Sequence, residues 1–523
     1  MTDIKKKKKS FFMRFLSKVE KIGNKFPPPM MIFAILCLVI IVISGIGAKL
    51  GWSATGMILN KESGAIEEQT INVVSLFSIK GLQYMISNFT KNMMSYTSLG
   101  MMLTIMFGIG IAEHSGWLSG LIKKAVEITP LALVTPMTVF IGVMSNLAEN
   151  AGYVLFVPLA AMIFKAAGKH PIAGIAAGFA GVSGGFAANL LISSNDAVLS
   201  GFTDTAIKLV NPNYNVNAMS NYFFMASSVV LLVILGTIVT EKIVIPMLGP
   251  YDEANAGEEV KNMQHILSDE ERKALKVSNL VFILMIVGLI VSAIPKSSWL
   301  RNPKTGSLIE KSILLEGIVP ILTILFMVPG LIYGIKTKKY NTSRDVFLGF
   351  STSIKTISGF ICTVFMAAQF TKYFKYTNIG NIISINGANW LKSMNIGVIP
   401  LLIIFILITG FTNLFMCSAS AKYAIFAPVF VPMLFALGIS PELTQAAYRI
   451  GDSSTNIIAP VLSSLPVILA AMNKYDKKSG YGTLLSCMMP YSFVFLIFWS
   501  AFLIIFLALG LPLGPGVTSI LVH

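Results

Sequence analysis

The composition of this 523-residue chain excludes a soluble globular protein. Hydrophobic residues make up 54% of it and charged residues only 12%, whereas charged residues are about 25% of soluble domains. The 40 Lys and Arg exceed the 24 Asp and Glu, giving a formal charge of +16. Because the basic residues lie in short segments between apolar runs, they match cytoplasmic membrane loops rather than a surface for nucleic acid, and we expect no nucleic-acid partner.

The apolar runs predict a multi-pass membrane protein embedded in the lipid bilayer. A basic cytoplasmic N-terminus (1–29) precedes a first membrane half (30–250), a cytoplasmic loop (251–276) and a second membrane half (277–523). The predicted spans are 30–48, 93–111, 172–192, 222–246, 277–294, 313–335, 346–370, 456–472 and 484–511.

Two further apolar stretches are interrupted by polar residues and are predicted to be re-entrant hairpins. The first, 131–164, has basic segments on both sides and is broken near Asn146 and Asn150; the second, 397–437, is broken from 413 to 423. A helix broken at membrane depth is stable only where protein or a water-filled cavity satisfies its backbone. The charge pattern predicts that the first hairpin enters from the cytoplasm and the second from outside.

A short sequence pattern recurs once in each half. The run from Tyr153 to Pro158 is matched by the run from Tyr423 to Pro428, and Ser193-Ser194-Asn195-Asp196 is matched by Ser453-Ser454-Thr455-Asn456. A hairpin followed by a broken helix, present twice, would leave these echoes; chance similarity between apolar helices is the alternative. We therefore predict an all-α polytopic membrane fold with inverted repeats, about nine transmembrane helices and two opposed re-entrant hairpins.

Ionisable side chains within apolar sequence mark the first candidate site, since a charge in a membrane is costly unless it has a partner. Arg449 and Asp452 are three residues apart on one predicted helix face, so they can pair with each other. Alternatively, Arg449 binds a substrate carboxylate through its planar donors while Asp452 exchanges a proton or holds a cation. A purely structural ion pair is the competing interpretation.

Asp196 is the second candidate for ion coupling. Ser193 and Asn195 beside it supply hydroxyl and amide oxygens suited to sodium or to orienting a substrate, although a helix N-cap would use the same residues. Lys422 either approaches an anionic substrate or extends its ammonium toward the membrane surface. Tyr423 offers a stacking surface for an aromatic ligand. The other candidates for substrate contact are Asn146, Asn150, Asn413, Ser420 and Asn456.

The sequence lacks the motifs of ATP hydrolysis, enzyme catalysis and metal binding. The chain has no GxxxxGK[ST] loop for ATP-driven transport, no catalytic constellation of an enzyme, and four cysteines without metal-ligand spacing. We therefore expect no enzyme, no metal site and no cofactor, with bound sodium as the one ion to consider. An ion channel with the broken helices along its pore and a membrane enzyme acting on lipid are the rival functions.

The most specific runs are Asn413-Leu414-Phe415, Ser418 to Ala424, and Ser440 to Ser453. Together they resemble the signature of the p-aminobenzoyl-glutamate transporter (AbgT) family, and residues 19–29, 152–158 and 196–201 resemble the family's other landmarks. The resemblance covers nearly the whole chain.

The resemblance implies a homodimer in the bacterial inner membrane with nine spans and two opposed hairpins in each protomer. It also implies secondary transport of p-aminobenzoyl-glutamate or a related aromatic anion, or efflux of sulfonamide-like antimetabolites, driven by a proton or sodium gradient. A transporter of a different small carboxylate is the alternative. The family's functional positions correspond here to Asp196, Asn413, Ser420, Tyr423, Pro441, Arg449, Asp452 and Pro460.

Four prolines are assigned to the hairpins or helix breaks: Pro158, Pro428, Pro441 and Pro460. Two positions depart from the family pattern. Residue 423 is tyrosine where the family usually has tryptophan, and no proline follows Asp196. The first departure bears on substrate preference, and the second on how the helix break is held.

Overall fold

A computed structural model gives the structure of residues 27–59, 66–148, 152–252, 267–308, 312–394, 396–460 and 462–517. Within these ranges the chain is almost entirely helical, which confirms the predicted all-α class. Nearly all of the predicted N-terminal segment 1–29, most of the predicted loop 251–276, and Asn150 lie outside the described residues.

Helix-terminus signals in the sequence set several boundaries of the first half. The first helix begins at Pro29, where a missing N–H costs nothing, and the third ends at Gly116, whose φ of 95° favours glycine. The two strands pair antiparallel, with Ser53 opposite Asn72. The elements are α1 (Pro29–Lys49), β1 (Ser53–Leu59), β2 (Ile66–Asn72), α2 (Ile79–Met94), α3 (Thr97–Ser115), α4 (Trp117–Glu127), α5 (Val134–Met144), α6 (Val157–Ala166), α7 (Pro171–Phe179), α8 (Ser194–Ile207), α9 (Tyr222–Val239) and α10 (Ile245–Leu248).

Short 3-10 and π segments extend some of these helices. The 3-10 segments are Leu131–Leu133 and Ser145–Ala148, on either side of α5, and the π segments are Gly152–Phe156, Ala180–Gly184 and Thr240–Val244, next to α6, α7 and α9. Such segments shift the helical register locally and are common at functional sites.

The second half begins with a helix that is longer than the predicted span. Ser268 and Glu271 form a capping box that starts this helix at Asp269, eight residues before the predicted 277. The elements are α11 (Asp269–Ala293), α12 (Ile313–Glu316), α13 (Ile318–Lys336), α14 (Ser343–Thr356), α15 (Ser358–Tyr376), α16 (Ile379–Ser393), α17 (Val398–Asn413), α18 (Ala419–Phe435), α19 (Pro441–Asn456), α20 (Leu465–Tyr475) and α21 (Tyr481–Ala508).

The predicted spans differ in how continuous they are. Six helical segments among the described residues are long and apolar enough to cross a membrane, and α14 with α15 forms a seventh that bends by 49°. The remaining two predicted spans, 172–192 and 456–472, fall on the broken helices α7–α8 and α19–α20. The protein is therefore a multi-pass membrane protein in which two crossings are interrupted.

The chain contains the same arrangement of elements twice. A hairpin (α5 and α6), a broken helix (α7 and α8) and a long helix (α9) are repeated as α17 and α18, α19 and α20, and α21. Each broken helix packs its second part against the hairpin of the other repeat, α8 against α18 and α20 against α6, while α9 contacts α21. The two repeats therefore interlock at one centre, where each places part of its broken helix against the hairpin of the other.

The long helix α9 shows that the two hairpins are opposed. Lys169, just after the first hairpin, forms an ion pair with Glu241 at the C-terminal end of α9. Asn221, which precedes α9, donates from Nδ2 to the carbonyl of Glu442 at 2.8 Å, just after the second hairpin. Because α9 is long enough to span the membrane, the bases of the hairpins lie at its two ends.

Glycines bring each hairpin close to the broken helix of its own repeat. A Cβ on Gly181 would lie 2.6 Å from the Val139 carbonyl oxygen and 2.9 Å from Cα of Gly142, and one on Gly451 would lie 2.4 Å from the Ile406 carbonyl oxygen. Only residues without a side chain fit at such separations. Gly142 and Gly181 in the first repeat thus correspond to Gly410 and Gly451 in the second, because both pairs lie where a hairpin approaches its broken helix.

The helix breaks differ from the predicted ones. The sequence echo placed both breaks at the polar motifs, whereas the described residues are non-helical at 185–193, 457–460 and 462–464. Ser193 caps the helix that follows the first break, while Ser453 to Asn456 end the helix that precedes the second. The two motifs therefore lie on opposite sides of their breaks, because each favours a helix end but not which one.

Candidate functional site

A cavity of about 810 Å³ is lined by the tips of both hairpins. The first hairpin contributes Asn146 and Tyr153, and the second contributes Phe415 and Ser420. The first residues of α8 and α18, which are Ser194, Asn195, Ala419 and Ser420, also line it. Since the N-terminus of a helix carries partial positive charge, two such ends at one cavity favour an anion there.

The central helix α19 is polar yet fully enclosed. All sixteen of its residues are buried, including Glu442, Arg449 and Asp452, and its last residue, Asn456, reaches the cavity. Burying these charged side chains costs more free energy than burying apolar ones, since buried charges must be paired and hydrogen-bonded.

Arg449 pairs with Asp196, which lies on a different helix. The guanidinium Nη1 donates to Oδ1 of the carboxylate, and both side chains are buried. Oδ2 of Asp196 accepts from the backbone N and the hydroxyl of Ser193, each at 2.7 Å. Asp196 is thus both an ion-pair partner and a helix-capping residue. The capping interpretation is confirmed, and the role in ion coupling stays a prediction.

Lys422 is the partner of Asp452. Its ammonium donates to Oδ1 of Asp452 and to Oδ1 of Asn413, both at 2.7 Å, and lies 5.4 Å from the ring centre of Tyr448. The Lys422 side chain is fully buried, so the expectation that it could extend toward the membrane surface was wrong. The predicted pairing of Arg449 with Asp452 was also wrong, because each has a closer partner on another element.

Asn413 ties the second ion pair to the end of α19. Its Nδ2 donates to the carbonyl of Asp452 at 2.8 Å and to Oδ1 of Asn456 at 2.7 Å. In the first repeat, Asn146 donates to the carbonyl of Gly185 at 3.0 Å. Each hairpin tip therefore uses an asparagine to satisfy backbone carbonyls where its broken helix ends.

Tyr423 belongs to a buried cluster behind the cavity. Its ring centre lies 4.3 Å from that of Tyr448, and its hydroxyl is 2.8 Å from Oγ1 of Thr203. Thr203 also donates to Oε1 of Gln445 at 2.6 Å. In this conformation the ring of Tyr423 is fully buried and is not among the residues that line the cavity.

A family model described as "AbgT putative transporter family" matches residues 14–521 of the chain. This protein belongs to the AbgT family. Membership makes it a membrane transporter rather than an enzyme, and the family of transporters suggested by the signature runs is confirmed.

Other AbgT proteins match along nearly their full length. The p-aminobenzoyl-glutamate transport protein of Escherichia coli (strain K12) is 35% identical over 499 residues, which cover 95% of this chain and 96% of that protein. MtrF of Neisseria gonorrhoeae, described in a study of antimetabolite efflux pumps, superposes with a TM-score of 0.91 at 42% identity, covering 96% of this chain and all of the other. The YdaH transporter of Alcanivorax borkumensis gives 0.87 at 35% identity, covering 94% and 100%.

The structure divides the site residues predicted for this AbgT protein into two groups. Those that line the cavity are Asn146, Ser193, Asn195, Ser420 and Asn456. Those buried behind it are Asp196, Asn413, Tyr423, Arg449 and Asp452. Among the prolines, Pro158 is near the start of α6, Pro428 is within α18, Pro441 begins α19, and Pro460 lies in the second break.

The buried groups that connect the site were not predicted as site residues. Thr203 lies in α8, and Gln445 and Tyr448 lie in the polar helix α19, where a single hydroxyl or amide has no distinctive spacing. Glu442 is in the first turn of α19, where an acidic residue is common because it complements the helix N-terminus. Their role depends on which helices meet, which a linear pattern does not reveal.

Proposed function

We propose that this protein is a secondary active transporter of p-aminobenzoyl-glutamate or a related aromatic anion, coupled to a proton or sodium gradient. The observation that carries the proposal is the cavity between the hairpin tips, with the N-termini of α8 and α18 along it and two buried ion pairs behind it. Helix N-termini attract carboxylates, and a broken helix can rearrange without unfolding a whole span.

The ion pairs supply the groups that change partner during transport. A substrate carboxylate that reaches Arg449 replaces Asp196 as the acceptor of its guanidinium. Asp196 is then free to hold a proton or a sodium ion, with Ser193 and Asn195 as neighbouring oxygen donors. Asp452, held by Lys422, is the second group for ion coupling. The exchange keeps each buried charge neutralised, so neither state contains an isolated ion.

The relatives support the substrate class. The Escherichia coli protein is named for p-aminobenzoyl-glutamate transport, and MtrF was described with antimetabolite efflux pumps. Both names concern small molecules moved across a membrane, and the cavity volume suits a ligand of that size. Import of p-aminobenzoyl-glutamate and efflux of an antimetabolite are the two directions of one cycle.

The charge pattern and the family support a proposal for the arrangement in the cell. We propose a homodimer in the bacterial inner membrane with a cytoplasmic N-terminus. The segments that end in Lys123 and Lys124, in Lys169, and in Lys474 to Lys478 then lie in the cytoplasm, as the positive-inside rule requires.

The decisive experiment is flux of radiolabelled p-aminobenzoyl-glutamate in proteoliposomes, with proton and sodium gradients imposed separately in each direction. Saturable flux that follows one gradient is expected. Flux that rises linearly with substrate concentration and ignores both gradients would indicate a channel. No flux and no competition by other aromatic carboxylates would remove the proposed substrate class.

Variants at position 449 test the binding role. Arg449→Lys keeps a cation beside Asp196 but loses the planar guanidinium and its paired N–H donors. Substrate affinity should therefore fall roughly ten- to hundredfold, as for loss of one charged hydrogen bond. Arg449→Ala should abolish flux. Arg344→Lys, at an exposed position in the first turn of α14, is the matched control and should transport normally.

A further inference from the structure

Glu442 is a buried carboxyl with an unusual environment. Its side chain is 3% exposed, and Oε2 accepts a hydrogen bond from the Tyr214 hydroxyl at 2.9 Å. Among the described residues, no ion pair includes it, whereas the buried carboxylates Asp196, Asp204 and Asp452 each have a basic partner. A carboxyl held by a hydroxyl can gain or lose a proton without breaking an ion pair.

The elements packed against the start of α19 contribute few ionisable groups. Helix α17 and the π segment after α7 contain none, and α21 contributes Cys487 and two tyrosines. Helix α18 contributes Tyr423 and Lys422, and the Lys422 ammonium is paired with Asp452. Arg449, on the same helix as Glu442, is paired with Asp196. Tyr214 contacts Glu442 directly, whereas Tyr491 is remote from it, because the Tyr491 hydroxyl is 2.5 Å from Thr240 at the opposite end of α9 from Asn221. The titratable or charged groups on the elements packed against α19 are Asp196, Asp204 with Lys208, Tyr214, Lys422, Tyr423, Tyr481, Cys487 and Tyr491, and α19 itself carries Tyr448, Arg449 and Asp452.

Two opposing effects leave both protonation states of Glu442 accessible. Burial away from water disfavours the charge of a carboxylate. The N-terminus of α19, where Glu442 is in the first turn, favours that charge. A group balanced in this way can change its protonation when the surrounding helices move.

Glu442 lies between an exposed loop and the ion pair beside the cavity. Tyr214 is half-buried in a loop whose neighbour Asn213 is exposed. In the other direction, Gln445 is one helical turn after Glu442 on α19, and its Oε1 accepts from Thr203, whose hydroxyl is also 2.8 Å from that of Tyr423. Arg449 is one further turn along the same helix. Arg449 contacts Asp196, whose capping partner Ser193 lines the cavity. Since Glu442 and Asn456 are at opposite ends of α19, this row of groups runs from one end of the helix toward the other.

We propose that Glu442 is a proton-binding site of the transport cycle, loaded from the loop that contains Tyr214 and unloaded toward the cavity. The proposal rests on the transport function proposed above and names the proton as the coupled ion. Water at the loop gives one proton to the carboxylate, which becomes a neutral carboxylic acid. After the hairpins rearrange, the acid returns that proton to water in the cavity; the reverse cycle runs these steps backwards.

The test is accumulation of p-aminobenzoyl-glutamate by wild-type and Glu442→Gln proteoliposomes under a pH gradient. Glutamine can still accept from Tyr214, so the fold is retained, but it cannot carry a proton. With one coupled proton, a gradient of one pH unit should give about tenfold accumulation by the wild type and none by the variant. Exchange of internal for external substrate, which needs no net proton movement, should persist in the variant.

The matched control is Asp204→Asn, which neutralises another buried carboxylate, one that accepts from the backbone N of Val216 in the same loop. It should accumulate substrate as the wild type does. Accumulation by Glu442→Gln equal to that of the wild type would overturn the proton site while leaving the transport function standing. Accumulation driven by sodium alone would also overturn it.

An infrared titration separates failure of this site from failure of the transport function. The carbonyl band of a protonated carboxyl should appear in the wild type and in Asp204→Asn as pH falls, and be diminished in Glu442→Gln. The same titration in all three proteins would exclude proton binding at Glu442, even if no transported substrate were found.

Discussion

At the scale of single residues, the site consists of charges that neutralise one another across helices. Lys422 and Asp452 are both almost fully buried, and the amide oxygen of Asn413 accepts from the same ammonium. Removing one member of such a pair leaves a buried charge without a partner, which costs more than removing both.

Lys422→Met should therefore destabilise the protein by about 3–5 kcal/mol, as for loss of one partner of a buried pair. The double variant Lys422→Met with Asp452→Asn should recover most of that loss, because no isolated charge remains. Thermal unfolding in detergent measures both. A double variant less stable than Lys422→Met would contradict the pairing.

Tyr423 gives a second prediction at this scale. Because its ring is packed against Tyr448 and away from the cavity lining, Tyr423→Ala should lower the free energy of unfolding by about 3–5 kcal/mol through the space it leaves. Tyr423→Phe should cost about 1 kcal/mol for the lost hydrogen bond to Thr203. If Tyr423→Phe changed substrate affinity more than stability, the ring would be in contact with substrate in another state of the cycle.

The sequence indicated which residues matter better than it indicated their partners. Arg449, Asp452 and Asp196 stand out because charges are rare in apolar sequence. Their pairing depends on how α8, α18 and α19 meet, and spacing along one helix suggested the wrong partner for Arg449.

At the scale of elements, the repeat depends on close contact between each hairpin and its broken helix. The sequence predicted both hairpins and the existence of the breaks, since polar residues and glycines interrupt apolar runs. It did not place the breaks, because a serine-rich motif can either start or end a helix.

Gly181→Ala and Gly451→Ala should each destabilise the protein by about 1–3 kcal/mol, because a methyl group would overlap backbone atoms of the facing hairpin arm. Flux should fall in parallel if these contacts guide the movement of the hairpins. Gly288→Ala, in α11 with no atom within 4 Å of the added Cβ, is the control and should be neutral or slightly stabilising. Equal stability of all three variants would show that the arms can separate freely.

At the scale of the whole molecule, we expect the cavity and the loop that contains Tyr214 to face opposite sides of the membrane, because the cavity is also lined by residues 27–29, which directly follow the basic N-terminal segment. Ser194 lines the cavity, and Asn213 is exposed in the loop. The base of the second hairpin and this loop are at the N-terminal end of α9, whereas Lys169 is at the other end.

Impermeant thiol reagents should therefore reach Ser194→Cys and Asn213→Cys from opposite sides, in a background without native cysteines. We expect Ser194→Cys to be labelled from the side of Lys169 and Asn213→Cys from the other, in right-side-out and inverted vesicles. Labelling of both from one side would contradict the opposed hairpins.

The two attachments at the ends of α9 have a consequence for how the protein moves. The ion pair between Lys169 and Glu241 links the base of the first hairpin to one end of α9. At the other end, the amide of Asn221 donates a hydrogen bond to the Glu442 carbonyl, just after the second hairpin. Because the Lys169 and Glu241 side chains are 29% and 34% exposed, added salt should weaken their ion pair, whereas the hydrogen bond from Asn221 to a backbone carbonyl should not respond to salt. Ionic strength should therefore loosen the base of the first hairpin and leave that of the second unchanged.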